Sequence, residues 1–438
     1  VYVSEDDAET VAAAANGYAG PAVWTRILGV GAERAGNKDG SIPAWTGGLL
    51  EAPQGWVRGN GYIDPFANEK PLVVITAQNF EQYKDKLTPG DIALMKKYPT
   101  FKMPIYPTHR TAAFPKEVTD KMREDLGKAR VSGVSIEGYG GTGSPFLMPK
   151  SGVEVVYNHE LRYFPSYKQS THWVPVRSNG EYYTIRFSQQ FIPKQFIEGK
   201  TFDNHLFTFV GYYESPASLL GTIYLIHDVI DVTKGERQAW IYNAGQRRVR
   251  RAPDVAYDNV DDGTEGMRTT DQFFGFNGGL DRYDWKLLGK KEIYVPYNTY
   301  KIAEKKLKYT DIFQKGSVNS DLMRYELHRV WVVDGTLKSG MSHVYGRRTF
   351  YFDEDSWAVV HEDAYDTRGS LWRVSTVPTF QRYDAGFPFV HFFITHDLNA
   401  GYYLATNFDN EVKSMPLYNV TVKWQDVQVD SLRRSGTR

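Results

Sequence analysis

From Arg324 to Val374 the chain alternates apolar and polar residues with a period of two. Tyr325, Leu327 and Trp331 alternate with Arg324, Glu326 and His328, Asp334-Gly335 and Ser339-Gly340 punctuate, and His343–Phe352 runs back. Asp353-Glu354-Asp355 and Asp366-Thr367-Arg368-Gly369 then turn the chain into Trp357–Tyr365 and Leu371–Val374. Alternation cut by Asp and Gly predicts four strands of an antiparallel meander. Similar runs predict strands at Gly152–Tyr157, His172–Val176, Tyr182–Phe187, Leu206–Tyr213, Gly221–Val229, Gln238–Tyr242, Arg247–Arg251, Phe389–Thr395 and Gly401–Thr406. Asn179-Gly180 and Ala244-Gly245 are hairpin-turn dipeptides.

Helical spacing is concentrated between residues 76 and 130. Thr76 is placed to cap a helix through Leu87, and Thr88-Pro89 supplies an N-cap and a first-turn proline for Asp91–Tyr98. Lys116–Arg130 carries Val118, Met122, Leu126 and Ala129 on one stripe. Residues 1–75 are rich in Gly, Ala, Asn and Pro. They predict a short helix at Glu5–Ala15 and then an extended wrap anchored by Trp24, Trp45 and Trp56. The expected organisation is therefore a wrap (1–75), a helical region packing on the sheet (76–150) and a large antiparallel sheet (151–438), joined as one compact body.

A hydrophobic share of 41% and a charged share of 24% fit a soluble globular chain. The formal net charge of +0 gives no overall field for nucleic acid or an anionic membrane. With no cysteine, disulfides, thiolate nucleophiles and cysteine-held zinc or iron–sulfur clusters are excluded. No apolar run approaches the ~18 residues of a membrane span. A start at Val1, without an initiator methionine, predicts an exported protein from which a signal peptide has been removed. Aromatic residues are 15% of the chain. They serve strand propensity, and some are expected to line a pocket, because rings supply large apolar area with few torsions to freeze. The candidate lining residues are Phe207, Phe209, Tyr224, Trp240, Tyr242, Phe350, Phe352 and Trp372, each in a predicted strand.

Other motifs carry less. Gly138, Gly140 and Gly143 satisfy GxGxxG, but Pro145 and Pro149 follow at once and no helix can start where a phosphate would need one. Asn37, Asp39 and Ser41 resemble a calcium loop only faintly, and the acidic loop Asp258, Asp261, Asp262 and Glu265 reads as solvated, with a bound cation as the alternative. The ten histidines form no metal motif, and His391 with His396 lacks metal-pair geometry. In His361-Glu362-Asp363 a strand puts His361 and Asp363 on one face and Glu362 on the other, which argues against a joint acid–base role. No GxSxG and no prominent carboxylate pair is present, so no catalytic residue, metal site or cofactor is expected. Arg247, Arg248, Arg250 and Arg251 form a basic knot suited to docking or to an acidic headgroup, or to a purely structural role.

Gln238–Arg251, with Trp240 and Tyr242 before the turn and the arginines after it, resembles the tryptophan strand, turn and basic strand of outer-membrane lipoprotein-sorting proteins of the LolA/LolB superfamily. The chain is more closely similar to a large proteobacterial family of unknown function in that superfamily. Gly31–Gly48, Tyr106–Thr111, Pro145–His159, Tyr283–Asn298 with its core Trp285–Lys291, and Arg324–Val374 carry the likeness. The resemblance implies a mainly β fold with α: a large, curved antiparallel sheet forming an incomplete barrel, with helices covering its open side. It also implies a periplasmic, non-enzymatic carrier of a lipid or other hydrophobic small molecule. The expected partners are an inner-membrane transporter of the resistance–nodulation–division (RND) or mycobacterial-lipid (MMPL) type and an outer-membrane β-barrel. The rival readings are a structural subunit of a trans-envelope assembly that carries nothing, and an enzyme acting on polysaccharide or lipid.

Overall fold

The computed structural model describes residues 28–200, 203–253 and 255–435. The helix expected at Glu5–Ala15, and Trp24, lie outside them. Its frame is a 16-stranded sheet. The strands are β1 (Val73–Ile75), β2 (Met103–Ile105), β3 (Tyr167–Val176), β4 (Ile185–Pro193), β5 (His205–Tyr213), β6 (Ile223–Val229), β7 (Gln238–Asn243) and β8 (Arg248–Arg251). They continue as β9 (Tyr283–Pro296), β10 (Tyr325–Leu337), β11 (Arg347–Asp353), β12 (Val359–Tyr365), β13 (Leu371–Thr376), β14 (Phe393–Asp397), β15 (Tyr402–Phe408) and β16 (Leu417–Tyr418). Antiparallel ladders run from β9 through β10 to β15, cross from β15 to β3, and continue through β4 to β8. Among the described residues no ladder joins β8 to β9, so the sheet is open.

The expected meander is β10–β13, with turns where Asp366 and Gly369 predict one and a longer β10 that runs on through Asp334-Gly335. Two expected strands are corrected, and Phe389–Thr395 is one of them, divided between a strand Phe387–Val390 that pairs outside the large sheet and β14. Gly152–Tyr157 is not a strand but the start of helix α3 (Gly152–Glu160), after α1 (Pro89–Lys97) and α2 (Lys116–Glu124). Ser151 caps α3 by accepting from the Glu154 N–H at 3.2 Å. Eight of its nine residues, all but Glu154, are buried, and a run buried all round gives the same signal for a helix and a strand. Gly152 is needed there, because a Cβ would meet the Trp285 backbone at 2.8 Å. The stripe at Lys116–Arg130 is helical only to Glu124, and Thr76–Leu87 forms a 3-10 helix over Phe80–Lys86.

The sheet curls, as the distances across it require. Strands β4 and β11 lie six steps apart in the ladder order, about 29 Å if the sheet were flat. Yet Phe274 sits 4.7 Å from Phe191 on β4, and Phe276, two residues on, sits 5.3 Å from Phe350 on β11. One tripeptide spans the gap only if the two strands face each other. Helix α3 and the loop carrying Phe274 fill this inner side, where the main core cluster lies. On the opposite face, α1 covers a second cluster. Thr88 and Asp91 make a reciprocal capping box there, and Thr88 Oγ1 is 2.9 Å from His361 Nε2.

His361 also meets Asp363 Oδ1 at 2.8 Å, while Glu362 points through to the inner side, as strand alternation requires. The segment before β1 is laid along this body. Leu28 and Val30 are core residues, and the Trp357, Trp45 and Trp56 indoles donate to the carbonyls of Val30, Ala112 and Gly61. Among the described residues no helix is long and apolar enough to cross a membrane.

Candidate functional site

Alternation on β3–β6 puts one ring after another on the inner face. The register sets Phe187 opposite Tyr213, Phe191 opposite Phe209, and Tyr224 opposite Gly211. Trp173 joins from β3, with its ring 4.5 Å from Phe187. These rings, with Ile226 and Phe207, border a cavity of about 30 Å³. Phe273, which belongs to a loop rather than to the sheet, closes it together with Arg237, Val255, Asp261, Thr270 and Asn277.

That loop, residues 269–276, is held under tension. Thr269 and Gln272 form a capping box, and Phe274 then adopts φ +55°, a left-handed conformation that costs a bulky residue about 1–3 kcal/mol. Polar contacts compensate. Asp271 Oδ2 accepts from Arg348 Nη1 and from His343 Nε2, both at 2.8 Å, and Gln272 Nε2 donates to Glu362 Oε2 at 3.0 Å. Burial raises the Asp271 pKa, but Arg348 and His343 more than offset that and hold it at about 2. A buried guanidinium between two carboxylates thus clamps the loop to β11 and β12.

A second cavity of about 280 Å³ adjoins the first, and Arg237 and Asn277 border both. Arg237 grips Asp228 with two bonds (2.9 and 3.0 Å), and Asn277 donates to Asp228 at 3.1 Å, so the partition is a satisfied polar wall. Beyond it, burial and the neighbouring Asp228 push Glu160 well above the usual carboxylate range. Its Oε1 accepts from the Gly278 N–H at 3.2 Å.

Of the eight residues the sequence singles out as lining, Phe207, Phe209 and Tyr224 border the aromatic cavity. Phe350 and Phe352 are on the same face but six strands away, fully buried against Phe276, Trp285 and His159. Trp240 and Tyr242 pair with Leu225 and Ile223, which places them on the opposite face under helix α4 (Val429–Ser435). Trp372 is half-buried, with its N–H on Asp397 Oδ2 at 3.0 Å. The structure thus gathers three of the eight at one place. Trp173, Phe187, Phe191 and Tyr213 were legible from the same alternation, whereas Phe273 sits in a loop without period.

The four arginines are exposed on and beside β8, the free edge of the sheet, and no ion pair ties them to an acid among the described residues. The acidic loop is occupied internally. Asp261 pairs with Arg268 at 2.8 Å, Asp262 accepts from the Tyr224 hydroxyl, and Glu265 accepts from Tyr183 at 2.7 Å. Among the described residues no group of three or more His, Cys, Asp or Glu is placed to hold a metal.

The family model described as "Protein of unknown function (DUF1329)" matches residues 74–433. An uncharacterized Pseudomonas aeruginosa protein is 44% identical over 423 residues, covering 94% of this chain and 92% of that protein. Among solved structures, a domain of Vibrio parahaemolyticus named for outer membrane lipoprotein sorting is similar at TM-score 0.46 and 14% identity, over 65% of this chain and 99% of that one. A DUF1329 family protein of Desulfovibrio piger gives 0.42 at 15% identity (61% and 91% covered). A LolA superfamily protein of Nitrosomonas europaea gives 0.40 at 12% (65% and 100%).

Proposed function

The chain belongs to the DUF1329 family, and we propose from that premise that it carries a largely apolar molecule through the periplasm without altering it. The observation that supports this reading is the convergence of rings from four adjacent strands, and of Phe273 from a clamped loop, on one cavity. A carrier needs no reacting group, because each CH₂ moved from water into such a site gains ~0.8 kcal/mol. The cavity has room for roughly two water molecules. Loading therefore displaces Phe273 and its loop, and the stored backbone tension at Phe274 lowers the cost of that movement. The expected partners are an RND- or MMPL-type transporter on the inner side and an outer-membrane β-barrel protein on the other. The exposed arginines at the β8 edge are the docking surface we assign to one of them.

N-phenyl-1-naphthylamine, a neutral apolar fluorophore, tests the site. We expect saturable binding of one probe per chain, weakened about tenfold or more by Gly211→Leu. A Cβ there already meets Phe187 and Phe209 ring atoms at 2.5 and 2.6 Å, so a leucine must push those two cavity-lining rings aside. Non-saturable binding, or binding indifferent to that substitution, contradicts the reading.

The small size of the cavity is what favours a second reading, in which the chain is a fixed subunit of a trans-envelope assembly and carries nothing. Fractionation separates the two, since a fixed subunit stays with washed membranes and a shuttle leaves with the buffer.

A further inference from the structure

Three polar side chains stand among the rings with hydrogen-bonding capacity unused. Gln189 is 2% exposed, and neither its amide oxygen nor its amide nitrogen has a partner. Thr171 is fully buried and its Oγ1 has none, and Arg268, 2% exposed, has none for Nη2. Buried polar groups are normally paired, and each one left unpaired costs about 1–3 kcal/mol. Three orphans in one neighbourhood call for a common explanation.

Their placement follows from the register. Gln189 lies between Phe187 and Phe191 on β4, so its side chain leaves the same face as those two cavity-lining rings. Opposite it is Gly211, which has no side chain to cover it. Thr171 pairs with Phe187 across the β3–β4 ladder, one diagonal from Gln189 and two residues from Trp173. The Arg268 guanidinium lies between the Trp173 and Phe273 rings, 4.4 and 4.3 Å from their centroids. Its Nε bonds Asp261 at 2.8 Å and its Nη1 reaches Thr406 Oγ1 at 3.4 Å.

We infer that Gln189, Thr171 and Arg268, which stand among these rings but do not border the cavity itself, are a receptor for one neutral hydrogen-bonding group, a hydroxyl or carbonyl, on an otherwise apolar molecule that displaces Phe273. Gln189 offers both a donor and an acceptor, Thr171 offers either, and Arg268 offers a donor. The ligand group is neutral because Asp261 already balances the Arg268 charge, and a carboxylate would meet that second anion without a free cation. This inference rests on the carrier reading of the same face and adds to it the class of cargo.

Displacement of N-phenyl-1-naphthylamine by 1-octanol, n-octane and octanoate provides the test. A plain apolar cavity prefers the alkane, since a hydroxyl must shed water to enter. We expect the opposite order in the wild-type chain, with 1-octanol about tenfold tighter than n-octane and octanoate weaker than 1-octanol. Gln189→Leu is expected to restore preference for the alkane, and Thr171→Val, a nearly isosteric change, to cut the preference for the alcohol about threefold. Octane binding more tightly than octanol in the wild type, octanoate binding best, or a preference for octanol untouched by both substitutions each overturns the inference and leaves the carrier reading standing. If none of the three displaces the fluorophore, or if the fluorophore itself does not bind, both fall.

Discussion

Replacing Arg348 with methionine is expected to lower the free energy of unfolding by about 3–5 kcal/mol, read from urea midpoints. Arg348 has no exposed surface, and it alone stands between Asp271 and Glu362, which are buried as deeply. Methionine fills much of the space but leaves two carboxylates facing each other without their cation. The pH dependence should change with it. Asp271 is held at about 2 in the fold against an ordinary 3.8, so its stabilising contribution is complete above pH 3.8 and is lost as pH falls toward 2. Without Arg348 that loss begins at higher pH. The double variant Arg348→Met with Glu362→Gln should recover part of the stability, because it removes one of the stranded charges. A single-variant cost below about 1 kcal/mol would mean that the clamp on the loop is not what the geometry says.

Phe209→Ala is the second large effect. Phe209 is 4% exposed and packs against Phe191 (4.7 Å), Phe273 (5.6 Å) and Phe187 (6.4 Å). Truncation should cost about 3–5 kcal/mol of stability through lost burial and the void left behind. The same void enlarges the cavity, so N-phenyl-1-naphthylamine should bind about tenfold more tightly. Trp240→Ala supplies the contrast. Trp240 belongs to the opposite face, so its loss should reduce stability and leave probe affinity unchanged. Equal effects of the two on binding would place the site elsewhere.

That contrast also marks how far the sequence could be read. The meander at β10–β13 was legible because alternation fixes the strands and Asp and Gly fix the turns. The N-terminus of α1 was legible because Thr88, Pro89 and Asp91 make a local capping signal. Helix α3 was not, since a segment buried all round loses the periodicity that separates helix from strand. The division of aromatic residues between faces was not either. Phe209 and Trp240 both alternate correctly within their own strands, and only the pairing of Phe209 with Ile226 and of Trp240 with Leu225 decides that they point apart. Phe273 and the Asp271–Arg348–Glu362 clamp depend on contacts between residues up to 90 positions apart, the longest being Gln272 to Glu362. No local pattern encodes them.

Native mass spectrometry of the full chain, released from the cell envelope and purified without detergent, tests the central claim most directly. The account predicts a mass above that of the polypeptide by one apolar molecule per chain, removed by solvent extraction and restored by adding the extract back. A chain that always arrives at its bare polypeptide mass, and takes up nothing from a total envelope extract, would contradict it.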